Sequence, residues 1–284
     1  MLAPDTLGEQ ARRHLLKKLQ DHYVGYDVSI GRGRFESSVG LIFEDILVAN
    51  PTAIAVPLRE IVRIEQLVVV VNVHPEKLLD QEVPLTTTRV AISGMHANLT
   101  LDDDGTPSLM DARGLQCVCD LSCSLYRAPG RDWNYRVRST IHEGQFTHAK
   151  LPKPITQLRG VFVAEPQSVQ IEASQASLGE AVVRVHGELR GDRWPMDADL
   201  KVATNGLLLD DQFSAVLSET ARRGWDHLQP QGRIDVKADV MCRSGIWDAD
   251  AEVICKGVDI RYEKFPYPVH QLVGRVEIRD GIAS

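Results

Sequence analysis

The sequence predicts a mainly β protein with an antiparallel sheet, a short N-terminal helix and one inserted helix. Three observations predict it. Apolar and polar side chains alternate over many short segments, which is typical of strands with one apolar and one solvated face. Turn sequences such as Asn205-Gly206 separate these segments. Helical periodicity is confined to the first residues and one later segment.

Residues 1–24 are predicted to form an amphipathic helix. Thr6 and Glu9 have the spacing of a capping box, and Gly25 is a stop signal. Because the rest of its surface is basic, this helix could lie on an anionic membrane. It could equally cover one end of a sheet, which is the interpretation we favour. The apolar stripe consists of Leu7, Ala11, Leu15, Leu19 and Tyr23.

The strand pattern is clearest in three segments, 182–190, 233–240 and 247–256. In each segment every second side chain is apolar or small, and most of the others are charged or polar. Parallel sheets covered on both faces have nearly continuous apolar strands instead. The alternation therefore favours an antiparallel sheet that is solvated on one side.

The inserted helix is predicted at about 211–224. Phe213, Val216, Leu217 and Ala221 share one face of a helix with this register. Asp210 or Asp211 is the predicted N-cap, because a short carboxylate can accept the free N–H groups of the first turn.

An internal repeat divides the chain. Residues 151–162 align with 265–276, and both copies carry paired prolines followed by Gln, Leu and Gly. Paired prolines cannot donate to a β-ladder, so each copy is expected to lead into a new strand. We therefore predict an N-terminal helix (1–24), a first β-groove repeat (25–150) and a second repeat (151–284), with a third unit starting at 265. On this interpretation the chain is a piece of a longer array.

Composition excludes several classes of function. The 284 residues carry a net charge of −7, which argues against a nucleic-acid partner. No apolar run reaches the length of a membrane-spanning helix. The five cysteines, an odd number, are interpreted mostly as small buried side chains, and their disulfide state is left open. Neither the cellular compartment of the protein nor the redox state of its cysteines follows from the sequence.

Catalytic motifs are not assembled. His142 and His148 lie six residues apart, whereas a helical zinc motif needs a spacing of four. No nucleophile–base motif, phosphate-binding loop or dinucleotide fingerprint is present. The sequence therefore predicts a protein that is not an enzyme and has no metal and no cofactor.

Several segments resemble bacterial AsmA-like proteins. Tyr26–Gly31 is similar to the segment that follows the family's leading helix, and Gly40–Val48 is similar to the strand after it. Phe265–Pro268, with Leu272 and Gly274, resembles a segment of large AsmA-like chains. These motifs are structural, and the family has no catalytic residues to transfer.

The resemblance implies a fold, a location and a cargo. AsmA-like proteins, which are related to TamB and to bridge-like lipid-transfer proteins, fold a long sheet into an apolar groove, or β-taco. They are usually anchored in the inner membrane by an N-terminal helix, extend into the periplasm, and are implicated in phospholipid transport towards the outer membrane. In this sequence no anchor precedes Leu7. Three explanations stay open: the anchor is missing from this sequence, the start is misassigned, or the protein is a soluble copy. From the resemblance we expect a periplasmic protein that is anchored in its full-length form.

The residues support a lipid groove independently. An elongated, curved antiparallel sheet with few helices must hide its apolar face against itself or against a ligand such as phospholipid or another acyl lipid. The alternative is a structural or assembly scaffold of the cell envelope, in which the apolar faces pack together. Other envelope partners and the direction of transfer stay open. The predicted groove lining is Val169, Ile171, Val183, Val185, Leu189, Ala198, Leu200, Val202, Ile234, Val236, Ala251 and Val253.

Overall fold

A computed structural model shows that the chain is mainly β. It describes residues 4–52, 60–71, 87–99, 115–127, 133–147, 151–191, 197–215, 217, 219–262, 267–279 and 282–283. The helices are α1 (Pro4–His22), α2 (Asp211–Ser214) and α3 (Glu219–Leu228). The strands are β1 (Asp27–Glu36), β2 (Gly40–Ala49), β3 (Glu60–Val71), β4 (Thr87–Leu99), β5 (Leu115–Arg127), β6 (Trp133–Gln145), β7 (Ile155–Glu165), β8 (Ser168–Leu178), β9 (Ala181–Arg190), β10 (Asp197–Leu209), β11 (Gly232–Arg243), β12 (Ile246–Ile260), β13 (Val269–Arg279) and β14 (Ile282–Ala283).

The strands form one open sheet in which each strand pairs with its neighbour in sequence, from β1 to β14. The pairs β1–β5 and β8–β14 are antiparallel throughout. The predicted mainly β, antiparallel fold with an N-terminal helix is therefore confirmed. Contacts divide the chain into two compact units, one within residues 1–144 together with 161–166, the other within 145–160 together with 167–284. The predicted division into two β-groove repeats stays a prediction.

In the first unit, α1 covers the apolar side of β1–β3. Leu7 and Ala11 are buried, and Leu15, Leu16 and Leu19 pack against a cluster on the strands. The stripe therefore covers sheet from Leu7 to Leu19, as we favoured from the sequence, whereas Tyr23 lies beyond the end of α1 and is 40% exposed. The buried strand residues of this cluster are Ile30, Leu41, Phe43 and Ile46.

Helix α1 approaches β1 through two glycines. A Cβ added to Gly8 would lie 2.6 Å from the carbonyl oxygen of Gly33, and one added to Gly33 would lie 2.6 Å from the carbonyl oxygen of Gly8. Real Cβ contacts are never that short, so each glycine is required by the close backbone contact. Arg12 Nη1 also donates to the Ile30 carbonyl at 2.9 Å, which fixes the helix on the strand.

The predicted capping box at Thr6 and Glu9 is wrong, because α1 begins at Pro4 and both residues lie inside the helix. The Glu9 carboxylate instead accepts from Arg12 at 2.7 Å and from Arg13 at 3.0 Å. These two guanidinium groups lower the pKa of Glu9 to about 2. Glu9 therefore pairs with basic side chains one turn later along α1 and does not act as part of a helix cap.

The inserted helical segment differs from its prediction, since two short helices replace the single helix expected at 211–224. Asp210 caps α2 by accepting from the Phe213 N–H at 2.9 Å, which confirms one of the two predicted caps. Helix α3 continues to Leu228, where Gln229 adopts a positive φ of 41°. A left-handed residue followed by Pro230 is a standard helix ending, and it explains the later end.

Candidate functional site: the apolar face of strands β8 to β13

The twelve predicted lining residues all lie in the second unit and on one side of its strands. Directly paired residues of an antiparallel sheet point to the same side. Val185 pairs with Val202, which pairs with Ala238, which pairs with Ala251. We call this side of β8–β13 the apolar face. It carries Val169, Ile171, Val183, Val185, Leu189, Ala198, Leu200, Val202, Ile234, Val236, Ala251 and Val253.

A second row of the apolar face lies next to the first. Val183 pairs with Thr204, Thr204 with Val236, Val236 with Val253, and Val253 with Val276. Four valines and one threonine therefore cross five strands side by side. Six strands spaced about 4.8 Å apart give this face a width of roughly 24 Å across the strands.

Burial on the apolar face varies along the strands. Val185, Val202 and Val253 in the middle rows are half-buried, so part of each side chain stays accessible to solvent. Towards one end Ala198 is 1% exposed and Cys242 is fully buried. The middle rows therefore form a partly accessible apolar strip beside a buried end.

Helices α2 and α3 cover the other end of the apolar face. Phe213 and Trp225 pack against a buried cluster there, with their ring centroids 5.9 Å apart. Lys153 Nζ lies 2.8 Å from the Asp210 carboxylate that caps α2. This ion pair and the Phe213 N–H lower the pKa of Asp210. The cluster consists of Ala181, Leu207, Leu209, Ile234, Cys255 and Val258.

The apolar face stays continuous because several strands carry a bulge. In β8 the register shifts between Ile171 and Ser174, and in β10 it shifts between Thr204 and Leu207. A bulge adds one residue, so the alternation changes phase and the next apolar residue returns to the same side. The sequence does show this change of phase, because the apolar positions of β8 change from odd to even residue numbers. The sequence analysis assumed uninterrupted alternation and therefore did not predict the bulge.

An aspartate stabilises the bulge in β10. Asp235 Oδ1 accepts from the Gly206 N–H at 2.8 Å, where Gly206 has a φ of 73°, and Asp235 Oδ2 lies 2.5 Å from Lys256 Nζ. The ammonium group and the N–H together lower the pKa of Asp235. Gly206 is half-buried and lies at the register shift of β10, so this carboxylate supplies the acceptor for its N–H.

The same arrangement occurs at two further strands. Asp259 accepts from the N–H of Gln271 at 2.8 Å and contacts His270 at 3.3 Å. In the first unit Asp120 accepts from the Gly94 N–H at 2.9 Å and contacts His142 at 2.8 Å. In both aspartates the backbone N–H is the larger cause of a lowered pKa. These polar residues were not predicted as structural elements.

The opposite side of the same strands, which we call the polar face, is charged. A cavity of about 540 Å³ opens on it, and its lining includes Arg184, Lys237 and Asp250. Glu252 and Glu277 lie directly opposite each other, and Arg275 bridges them at 3.2 and 3.0 Å. The sequence analysis treated this side as a solvated surface and did not anticipate a cavity there.

The five cysteines are all free thiols. Cys119, Cys242 and Cys255 are buried, and Cys117 and Cys123 are half-buried. Burial raises the pKa of Cys255, which disfavours the thiolate form of this side chain. The interpretation of the cysteines as small buried side chains is therefore confirmed for Cys119, Cys242 and Cys255.

Within the described ranges, no three His, Cys, Asp or Glu side chains lie close enough together to hold a metal ion. His142 lies in β6, whereas His148 falls outside the described residues. Among the helices that the structure describes, none is both long and apolar enough to cross a membrane.

Comparisons with protein-family models, with curated proteins and with solved structures find no match. The site is therefore defined by its own geometry, as an apolar sheet face that is partly covered by two helices and partly accessible.

Proposed function

We propose that the chain is an AsmA-like lipid-binding protein whose apolar face holds or conducts acyl chains. The observation that carries this proposal is the half-buried strip of valines and alanines between the two more buried ends of β8–β13. An acyl chain laid across it would bury both surfaces at once. No chemical step is required of the protein, only removal of apolar surface from water.

The energetics favour such a ligand. Exposing an acyl chain to water costs about 0.8 kcal/mol per methylene, hence roughly 12 kcal/mol for a sixteen-carbon chain. Val and Ala side chains are short, so they would present a smooth apolar floor to an acyl chain. A continuous floor lowers this cost at each position that a moving chain occupies.

A scaffold without lipid cargo is the second candidate. It is favoured by the ends of the apolar face, where Cys242 is fully buried and where Phe213 and Trp225 cover the cluster around Val258. If the middle rows were also closed by packing, the face would only stabilise the fold. The two candidates predict opposite lipid contents for the purified protein.

The test is lipid extraction and mass spectrometry of the purified chain and of variants. Val185→Asp and Val236→Asp place a charge on the apolar face. Their bound acyl lipid is expected to fall several-fold, because a carboxylate is poorly tolerated beside an acyl chain.

Arg184→Asp and Lys237→Asp are the matched controls. They introduce the same side chain one residue away, on the polar face, and should retain lipid. Circular dichroism checks that each variant is folded. Folded wild-type protein without bound lipid, or equal lipid in all four variants, would contradict the lipid-binding proposal and favour the scaffold.

The cellular setting follows the resemblance. We propose a periplasmic location, with the full-length protein anchored in the inner membrane, and a contribution to lipid transport in the envelope. The exposed basic residues of α1, such as Arg13, Lys17 and Lys18, are the proposed contact with a membrane surface. Fractionation of cells that express the full-length protein tests the location directly.

A further inference from the structure

A single polar side chain interrupts the valine row of the apolar face. Thr204 lies between Val183 on β9 and Val236 on β11, and it precedes the bulge that separates it from Leu207. Valine has the same shape as threonine, and it occupies the other four positions of this row. A hydroxyl here is therefore not needed for packing.

The hydroxyl of Thr204 is without a hydrogen-bond partner. Thr204 is 9% exposed, and within the described residues its Oγ1 is the one buried side-chain oxygen or nitrogen that has no partner. Buried polar groups are usually paired, and an unpaired one lowers stability. An isosteric valine would remove that penalty, so the hydroxyl requires an explanation outside the fold.

We propose that the Thr204 hydroxyl donates a hydrogen bond to the ester carbonyl of an acyl lipid bound on the apolar face. This inference rests on the proposed function and specifies its ligand as an esterified acyl chain. Val183 and Val236 on either side are half-buried, so a ligand on this row reaches the buried hydroxyl when these two side chains move apart.

The surroundings of Thr204 favour a neutral carbonyl over a carboxylate. Its neighbours on the apolar face are Val183, Val202, Val236 and Leu207, and Lys237 and Arg184 project from the opposite side. A carboxylate placed among these apolar side chains would lack a cation and would be strongly destabilised. An ester carbonyl oxygen can accept one hydrogen bond, and the Thr204 hydroxyl can donate one.

The experiment compares two short-chain phosphatidylcholines that differ at one group, a diacyl ester and the matching dialkyl ether without the carbonyls. Dissociation constants are measured by titration calorimetry below the micelle concentration. Wild-type protein should bind the ester about three- to tenfold more tightly than the ether, the range expected of one neutral hydrogen bond. Thr204→Val should remove this preference while keeping its affinity for the ether. Thr204→Ser, which keeps the hydroxyl, should retain the preference.

The outcomes separate the two proposals. If both lipids bind but the preference is absent, or is unchanged in Thr204→Val, the role of Thr204 is overturned and lipid binding stands. If folded wild-type protein binds neither lipid, the proposed function fails, and this inference fails with it. Thermal unfolding of all three proteins shows that the comparison is made between folded chains.

Discussion

Gln157 and Gln271, 114 positions apart, have the same left-handed backbone, with φ values of 52° and 53°. They occupy matching places in the internal repeat, after the paired prolines and before Leu and Gly. Non-glycine residues rarely adopt this conformation. The repeat in the sequence therefore corresponds to a repeated local structure, a left-handed residue near the start of β7 and of β13, which in β13 lies at a shift of register against β12.

The first prediction concerns Gln271. Gln271→Gly should leave stability unchanged or raise it slightly, because glycine adopts a positive φ without strain. Gln271→Val should lower the free energy of unfolding by about 1 kcal/mol or more, since a β-branched side chain is strongly disfavoured in this region. Urea unfolding measures both. Equal stability of the two variants would show that the left-handed conformation is not maintained.

The second prediction concerns Asp235 and acid. A carboxyl whose pKa is lower in the folded than in the unfolded chain contributes stability above the unfolded value of about 3.9, and this contribution is lost as the pH falls through the folded value. Asp235→Asn removes the ion pair with Lys256 but can still accept from Gly206. It should be less stable than wild type by about 1 kcal/mol at neutral pH.

The difference between Asp235→Asn and wild type should begin to shrink below about pH 4, as the carboxyl of the unfolded chain binds protons, and it should be lost as the pH falls through the lower folded pKa. Asp235→Ala, which also leaves the Gly206 N–H without its acceptor, should be less stable than Asp235→Asn. Asp250→Asn on the polar face serves as the control and should change stability little. The measurement is the urea unfolding midpoint of each variant between pH 7 and pH 3. A stability difference between wild type and Asp235→Asn that grows in acid would contradict the stabilising role of the Asp235 carboxylate.

The third prediction concerns the contact of α1 with β1. Gly8→Ala forces the helix away from Gly33 and should lower stability by about 2 kcal/mol, the range of an overpacked core. Gly224→Ala in α3 is its matched control, because its new methyl group meets open space. It should raise stability by up to about 1 kcal/mol through helix propensity. Thermal unfolding midpoints should therefore move in opposite directions.

The fourth prediction concerns the polar face. Arg275→Gln leaves Glu252 and Glu277 facing each other without the bridging guanidinium. Like charges directly opposite on a sheet are destabilising, so stability should fall by about 0.5 to 1 kcal/mol at low ionic strength. Added salt should remove most of the loss by screening. A loss that does not depend on salt would mean that Arg275 acts through packing.

The fold class followed from the sequence because period-two alternation depends directly on strand geometry. Val183 and Val185 on β9, for example, lie on one side as their spacing requires, and the cross-strand register then places Val202 and Val236 beside them. Register itself was not predictable in this way, since it is fixed by hairpin turns and bulges. That register is the reason why all twelve predicted lining residues lie on the apolar face.

Three features escaped the sequence analysis for physical reasons. Bulges change the phase of alternation within a strand, and Gly206 was interpreted as a turn residue when it lies inside β10. The partner of Asp235 is a backbone N–H on another strand, which no local pattern reveals. Gly8 and Gly33 are required by a contact between elements, and such a contact is invisible before the helix is placed.

Pairing of each strand with its neighbour in sequence has a consequence for assembly of the chain. No strand must wait for a distant segment, so contact order is low for a β protein and folding can proceed hairpin by hairpin. Insertion or loss of a complete hairpin changes the number of strands without altering the pairing of the others. Evolution could therefore adjust the distance that a sheet of this kind spans in small steps.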